Sequence, residues 1–200
     1  MKTGLVIVAH PDDETVWMGG AILLQKDIKW TIFSLCRKYD KDRAPKFKKV
    51  CRLYGAEALI SDLEDDDIMS IKQSLPEIEK RILKELKKKK FTYIFTHGYN
   101  GEYRHKRHIG VHLVVKKLVE KRILKCDKLF FFAYKLNPKK RVVYQTKKPD
   151  LVFNLSREIL KKKKDIIKNL YGFSKNSFEN LSCLAKETFY ENTNSLRTSK

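Results

Sequence analysis

Short, uninterrupted apolar runs alternate along the chain with longer stretches in which apolar residues recur every three or four positions. Leu5-Val6-Ile7-Val8 opens the pattern, and with β-branched residues dominating and no polar break, residues 5–9 are expected as a buried strand. Residues 13–26 read as a helix containing Gly19-Gly20, where small residues let backbones approach closely. TIFSLC (31–36) is the second strand, followed by the polar loop RKYDKDRAP. A short amphipathic helix over 46–54 then ends at Gly55, a C-cap glycine. EALIS (57–61) is the third strand, and the acidic Asp65-Asp66-Asp67 after it reads as a solvated turn. Residues 76–90 are expected as a helix with Pro76 in its first turn and Ile78, Ile82, Leu83 and Leu86 on one face. FTYIFTHG (91–98) is the fourth strand, about 107–121 a helix, and KLFFFAY (128–134) the fifth strand. VVYQT and LVFNLS add strands without a fixed place, and two helices near 157–170 and 175–190 close the chain. This alternation predicts a single α/β domain over 1–192, a mostly parallel sheet wrapped by helices on both faces, with 193–200 as a frayed tail.

Composition narrows the class without naming a function. Two hundred residues, 42% apolar and with eleven Phe, carry a real core and exclude a disordered chain. The longest apolar runs are strand-sized, well short of the ~20 residues that span a bilayer, so no transmembrane segment is expected. The N-terminus has neither a signal-peptide core nor a cleavage pattern, and the expected location is cytoplasmic. Cys36, Cys51, Cys126 and Cys183 form no CxxC pair and read as reduced packing residues, not as a disulfide framework or cysteine zinc site. The net charge of +20 could attract a polyanion. However, the lysines sit in runs such as 87–90 and 161–164 at helix ends and outer faces, and no nucleic-acid-binding motif accompanies them. They read as a solvated surface, with no specific nucleic acid expected.

The histidines change the picture. In parallel sheets, ligands bind beyond the carboxyl ends of the strands. His10 to Glu14 follow the first strand, Arg37 and Asp40 the second, and His97 to His108 the fourth. All five histidines fall in two places: His10, and the group His97, His105, His108 and His112. At ~100° per residue, positions 105, 108 and 112 share one helix face, although His105 could instead precede the helix. Two imidazoles and a carboxylate leave zinc an open fourth position for water or substrate. Each residue also has a plainer reading: Asp12 as a helix N-cap, His112 as a hydrogen-bonded helix residue. Two short segments on one rim holding nearly every candidate ligand favour a metal site.

AHPDDE (9–14), followed by GEYRHKRHIGVH (101–112), resembles the PIG-L/LmbE-like family of zinc-dependent N-deacetylases. The match in element order runs over residues 1–135, whereas YGFSKNSFENL (171–181) is only loosely similar to the family's C-terminal helix. The resemblance implies a Rossmann-like fold. It also implies a metal-dependent hydrolase that activates water to remove the acetyl group from an N-acetylated, N-acetylglucosamine-type amino sugar, either a small molecule or a glycolipid. By motif position it assigns metal ligation to His10, Asp13 and His108, the general base to Asp12, and stabilisation of the charged intermediate, as a protonated imidazole, to His105. Zinc is the expected ion, with another divalent metal as the alternative. Arg37 falls near the place of a substrate-contacting arginine, although RKYDKDRAP replaces the family's Gly-rich stretch. Lys106-Arg107 stand where relatives often carry Pro-Asp. Glu14 is expected to accept a hydrogen bond from a ligand imidazole, and Asn100, Glu102 and Tyr103 are candidate sugar contacts. Two rivals are a hydrolase of another amide or a phosphoester, and a basic nucleic-acid-binding module with a structural metal. A homo-oligomer is left open.

Overall fold

The computed structural model describes residues 1–193 apart from Asp67, Lys88 and Lys140, so all but the first residue of the expected tail and one residue of the acidic turn lie outside the described residues. Its centre is a seven-stranded sheet in the order β3-β2-β1-β4-β5-β9-β8. The strands are β1 (Lys2–Val8), β2 (Ile28–Cys36), β3 (Glu57–Leu63), β4 (Lys90–Thr96), β5 (Lys125–Phe132), β8 (Leu151–Asn154) and β9 (Lys186–Glu191). The first five pair in parallel, and β9 joins β5 and β8 antiparallel. β1 is apolar on both sides because both are covered. Val6 and Val8 pack with Val16, Trp17, Phe47 and Ile167, while Leu5 and Ile7 pack with Ile78, Ile82, Val111 and Leu118. Helices α1 (Asp13–Leu24) and α2 (Arg43–Tyr54) thus lie on one face, and α3 (Ile71–Leu86) and α5 (Lys106–Glu120) on the other. This is the expected single α/β domain with a mostly parallel sheet.

Several boundaries differ from the sequence reading. α2 ends on Gly55 in the left-handed conformation (φ 68°), as expected. α3, however, begins five residues early, because Ser70 and Gln73 form a reciprocal capping box: Ser70 Oγ accepts from Gln73 N at 3.3 Å, and Gln73 Oε1 from Ser70 N at 2.9 Å. Pro76 therefore rides inside the helix. The expected strand 128–134 breaks at Ala133. Residues Tyr134–Asn137 (β6) instead form a hairpin with β7 (Val142–Gln145), outside the main sheet.

The largest correction is at the C-terminus. The helix over 157–170 is present as α6 (Arg157–Asp165) running into a π-helical turn at Ile166–Leu170. The helix expected over 175–190 shrinks to α7 (Phe178–Leu181), and Lys186–Glu191 becomes β9. Tertiary contacts override helix propensity there. Phe189 packs on Phe95, Phe132 and Phe153. Buried Glu187 accepts from Gly20 N and Ala21 N at 2.8 and 2.6 Å, and its Oε1 also lies 2.6 Å from Lys163 Nζ. Lys163 is fully buried, so the lysine run 161–164 is not wholly a solvated face.

Candidate metal centre

The chain leaves β1 through Ala9 and His10 and enters α1 at Asp13, and the turn between is strained. Asp12 has φ 119°, a left-handed backbone that a non-glycine residue adopts at a cost of about 1–3 kcal/mol. Asp12 stands at the N-cap position of α1, but its side chain makes no capping hydrogen bond. Carboxylates folded back on the backbone hold the turn: His10 N donates to Asp13 Oδ2 at 2.8 Å and Asp12 N to Glu14 Oε2 at 3.1 Å. The second arm leaves β4 at His97, passes through the short turn α4 (Gly101–Arg104), and enters α5 with His105 as its N-cap residue. His105 therefore precedes the helix, and its Nδ1 accepts from Arg107 N at 3.3 Å.

Three donor atoms meet between the arms. His10 Nδ1 lies 3.1 Å from Asp13 Oδ2, His108 Nε2 3.3 Å from the same oxygen, and the two ring nitrogens 3.2 Å from each other. A tetrahedral zinc with bonds of about 2.0–2.1 Å holds its ligands roughly 3.3 Å apart, so this triangle fits one face of such a site. The rings are turned to suit it. His10 Nε2 is 2.9 Å from Asp65 Oδ1 and His108 Nδ1 is 2.6 Å from Glu102 Oε2, so each imidazole donates outward to a carboxylate and turns its other nitrogen inward. Asp13 is steadied by Trp17 Nε1, which donates to Oδ1 at 2.9 Å. His97 stacks on His108 with ring centroids 3.8 Å apart, but its Nε2 accepts from Ala9 N at 2.9 Å, so it buttresses the cluster and does not join it. Other donor groups close enough to hold a cation are His10 with His105 and His108, and Asp13 with His97 and His108, while His10, Cys36 and Asp65 share the outer side of the His10 ring. Burial and nearby carboxylates push the Cys36 thiol up, leaving it a protonated packing residue.

Beside the triangle opens a cavity of about 310 Å³, floored by His10, Asp12, Asp13 and His105, walled by Trp17, Tyr103 and Phe178, and rimmed by Arg37, Arg43 and Glu179. Burial and the adjacent Asp13 carboxylate raise the Asp12 carboxyl well above its usual range, with Arg43 Nη1 at 3.3 Å opposing them. Burial would lower His108, but Asp13 and Glu102 overcome it and hold the ring at about 10. Burial and the His108 and His10 charges lower His105 to about 3, which favours its neutral form. With Nδ1 taken as an acceptor, its proton sits on Nε2.

The remaining predicted residues divide. Arg37 reaches the cavity and donates to Asp65 Oδ2 at 2.8 Å. Glu14 touches no ligand imidazole: its oxygens accept from Asp12 N, Thr15 Oγ1 and Tyr171 Oη. That service falls to Glu102, which is fully buried under His97 and His108 and does not line the cavity. Asn100 donates to the Tyr134 carbonyl at 2.9 Å and lines a different cavity. His112 donates from Nδ1 to the His97 carbonyl at 2.9 Å, the plainer of its two readings. Sequence reasoning missed Asp65, read as part of a solvated turn, and Arg43. Asp65 stood at a third strand end, the same signal that singled out the others.

Fold and site together define a Rossmann-like α/β protein with a cluster of three donors, spaced to suit a cation, beyond the ends of β1 and β4. The sequence matches the family model described as PIG-L: GlcNAc-PI de-N-acetylase over residues 5–119, more than half of the chain and all of the cluster, and the protein belongs to that family. No curated protein matches it. Among solved structures it is similar to N,N'-diacetylchitobiose deacetylase from Pyrococcus horikoshii (16% identity, 96% of this chain and 84% of that one, TM-score 0.68). It is also similar to the A40926 pseudoaglycone deacetylase Dbv21 (16%, 89% and 88%, TM-score 0.63). A third similar structure is GalB, the 4-carboxy-2-hydroxymuconate hydratase from Pseudomonas putida (14%, 100% and 99%, TM-score 0.63).

Proposed function

We propose that the protein is a zinc-dependent N-deacetylase that hydrolyses the acetamide of an N-acetylated amino sugar. The observation that carries this reading is the triangle of His10 Nδ1, Asp13 Oδ2 and His108 Nε2, with edges of 3.1 to 3.3 Å, two of whose residues, His10 and Asp13, line the cavity. Family membership and the two deacetylases of like fold support the bond and the substrate class. Two imidazoles and one carboxylate suit zinc, with another divalent cation as the alternative. A cation held there would acidify water and polarise the acyl carbonyl.

The chain's own residues supply the rest. Asp12 borders the cavity beside Asp13, and a carboxyl raised by burial is suited to take a proton from water and return it to the leaving amine. Neutral His105, carrying its proton on Nε2, is suited to donate to the oxyanion without being cationic, a contribution of about 3 kcal/mol for a preformed donor. Trp17, Tyr103 and Phe178 offer apolar faces to a sugar ring, and Arg37 and Arg43 offer donors at the rim. Among the described residues no helix is long and apolar enough to cross a membrane.

The test is amine release from a panel of N-acetylated amino sugars. Activity should vanish on chelation and return with zinc. Because a hydratase shares the fold, the panel includes hydration of an unsaturated carboxylate. Amine release that persists without metal, or hydration with no amine release, refutes the proposal.

A further inference from the structure

Of the two basic residues between His105 and His108, Arg107 does not line the cavity. Arg107 is 1% exposed, and its Nη2 donates to Glu64 Oε2 at 2.6 Å and to the Met69 carbonyl at 2.8 Å. Nη1 makes no hydrogen bond among the described residues, so every side-chain bond of this buried guanidinium goes to one loop. Glu64 organises that loop from within, accepting from Asp66 N, from Ile68 N at 3.1 Å and from Met69 N at 3.0 Å. The next residue is Asp65, whose Oδ1 holds His10 Nε2 and whose Oδ2 takes Arg37.

We propose that Arg107 and Glu64 form a brace that sets Asp65 against His10 and so fixes the cation affinity of the cluster. Both are positioning residues, and the inference rests on the cation-site reading above. Arg107 adjoins His108 on α5, so the brace ties the helix carrying one imidazole to the loop that orients the other. A buried charge is costly unless its pairing is good, and here the pairing holds this loop alone. Arg107 thus acts through the neighbouring loop, and Asp65 supplies the carboxylate that meets His10. Partners of ligating imidazoles typically change metal affinity 10- to 100-fold when lost, and a residue one step further out should act at the lower end, about 10-fold.

The experiment uses the full chain, stripped with chelator and titrated with cobalt(II), with competition against a chromophoric chelator for affinity and the visible d–d spectrum for ligand geometry. Arg107→Met and Glu64→Gln should each weaken cobalt binding about 10-fold and alter the spectrum. The double variant should lose no more than the worse single one, and Arg107→Lys should recover part of the loss. Lys117→Met breaks a different tie between α5 and α3, the exposed Lys117–Glu79 pair at 2.7 Å, and should leave affinity unchanged. Folded variants that bind cobalt as tightly as the parent, or losses that multiply in the double variant, overturn the brace. If Arg107→Met fails to fold, Glu64→Gln and Arg107→Lys decide it. A parent chain that binds no cobalt removes the cation site itself and the brace with it, a result distinct from a parent that binds and variants that match it.

Discussion

Glu102→Gln is the smallest change that should disable the cluster without touching a ligand. Glu102 is 1% exposed, and its two oxygens face three donors. Oε2 accepts from His97 Nδ1 at 2.8 Å and from His108 Nδ1 at 2.6 Å, and Oε1 accepts from Gly98 N at 2.7 Å. A glutamine cannot serve all three. With its oxygen toward the imidazoles its amide meets the Gly98 N–H, and flipped, its amide meets two ring N–H groups. Either way a buried donor is orphaned, costing about 1–3 kcal/mol, and the charge assistance on the ring bonds is lost, about 1 kcal/mol each. The titration of the group gives a similar size. Burial opposes ionisation, but the His97 charge and the bonds from both imidazoles win and lower the carboxyl from 4.5 to about 2, which corresponds to about 3 kcal/mol. The backbone adds to the demand, since Glu102 itself sits at φ 54°. Urea unfolding of the chelator-treated protein at pH 7 should therefore show a loss of about 3 kcal/mol. Cobalt affinity should fall 10- to 100-fold because His108 loses the partner that fixes its tautomer. The sign of the pH dependence follows from the depressed pKa. The carboxylate's contribution is complete above 4.5 and is lost as pH falls toward about 2, so the gap between parent and variant should close across that window. A variant with unchanged unfolding midpoint and unchanged cobalt affinity would refute the assignment of Glu102 as the support of the histidine pair.

Asp12→Asn should keep its cation, since Asp12 lies outside the three-donor triangle, but lose at least ~100-fold in kcat; a metal-free variant would move Asp12 among the ligands. His105→Ala should lower kcat by about 100-fold with cation content unchanged, measured by metal analysis beside the amine assay; equal loss of both would make His105 a ligand. Lys163→Met leaves the Glu187 carboxylate buried with only the Gly20 and Ala21 N–H groups, and should cost about 3 kcal/mol in urea unfolding, partly restored by adding Glu187→Gln.

What could be read from the chain, and what could not, divides by the range of the interactions involved. The five parallel strands and the helices between them were legible because each is decided locally, by an apolar run such as Leu5 to Val8 or by the apolar stripe of α3. The AHPDDE turn and the His105/His108 pair were legible for the same reason: their chemistry is concentrated in a few consecutive positions at strand ends. The start of α3 was also written locally, in Ser70 and Gln73, but Pro76 is a louder signal and drew the boundary to itself. Lys186–Glu191 could not be read this way, because its strand identity lies in partners up to 167 residues distant, where Glu187 meets Gly20.

The same distinction explains the supports of the cluster. Ligands must converge on a point, so they come from short motifs, whereas the carboxylates behind them need only reach one ring nitrogen and can come from anywhere nearby in space. Glu14, adjacent to the motif, looked the natural support for a ligand imidazole. Yet a residue one position beyond Asp13 on the first turn of α1 points about 100° away from it, and it meets Tyr171 instead. Asp65, 55 residues from His10, and Glu102, six residues before His108 in a left-handed turn, hold the rings. The outer layer is thus assembled from two separate loops, and the pairing of Arg107 with Glu64 ties the first of them to the helix that carries His108.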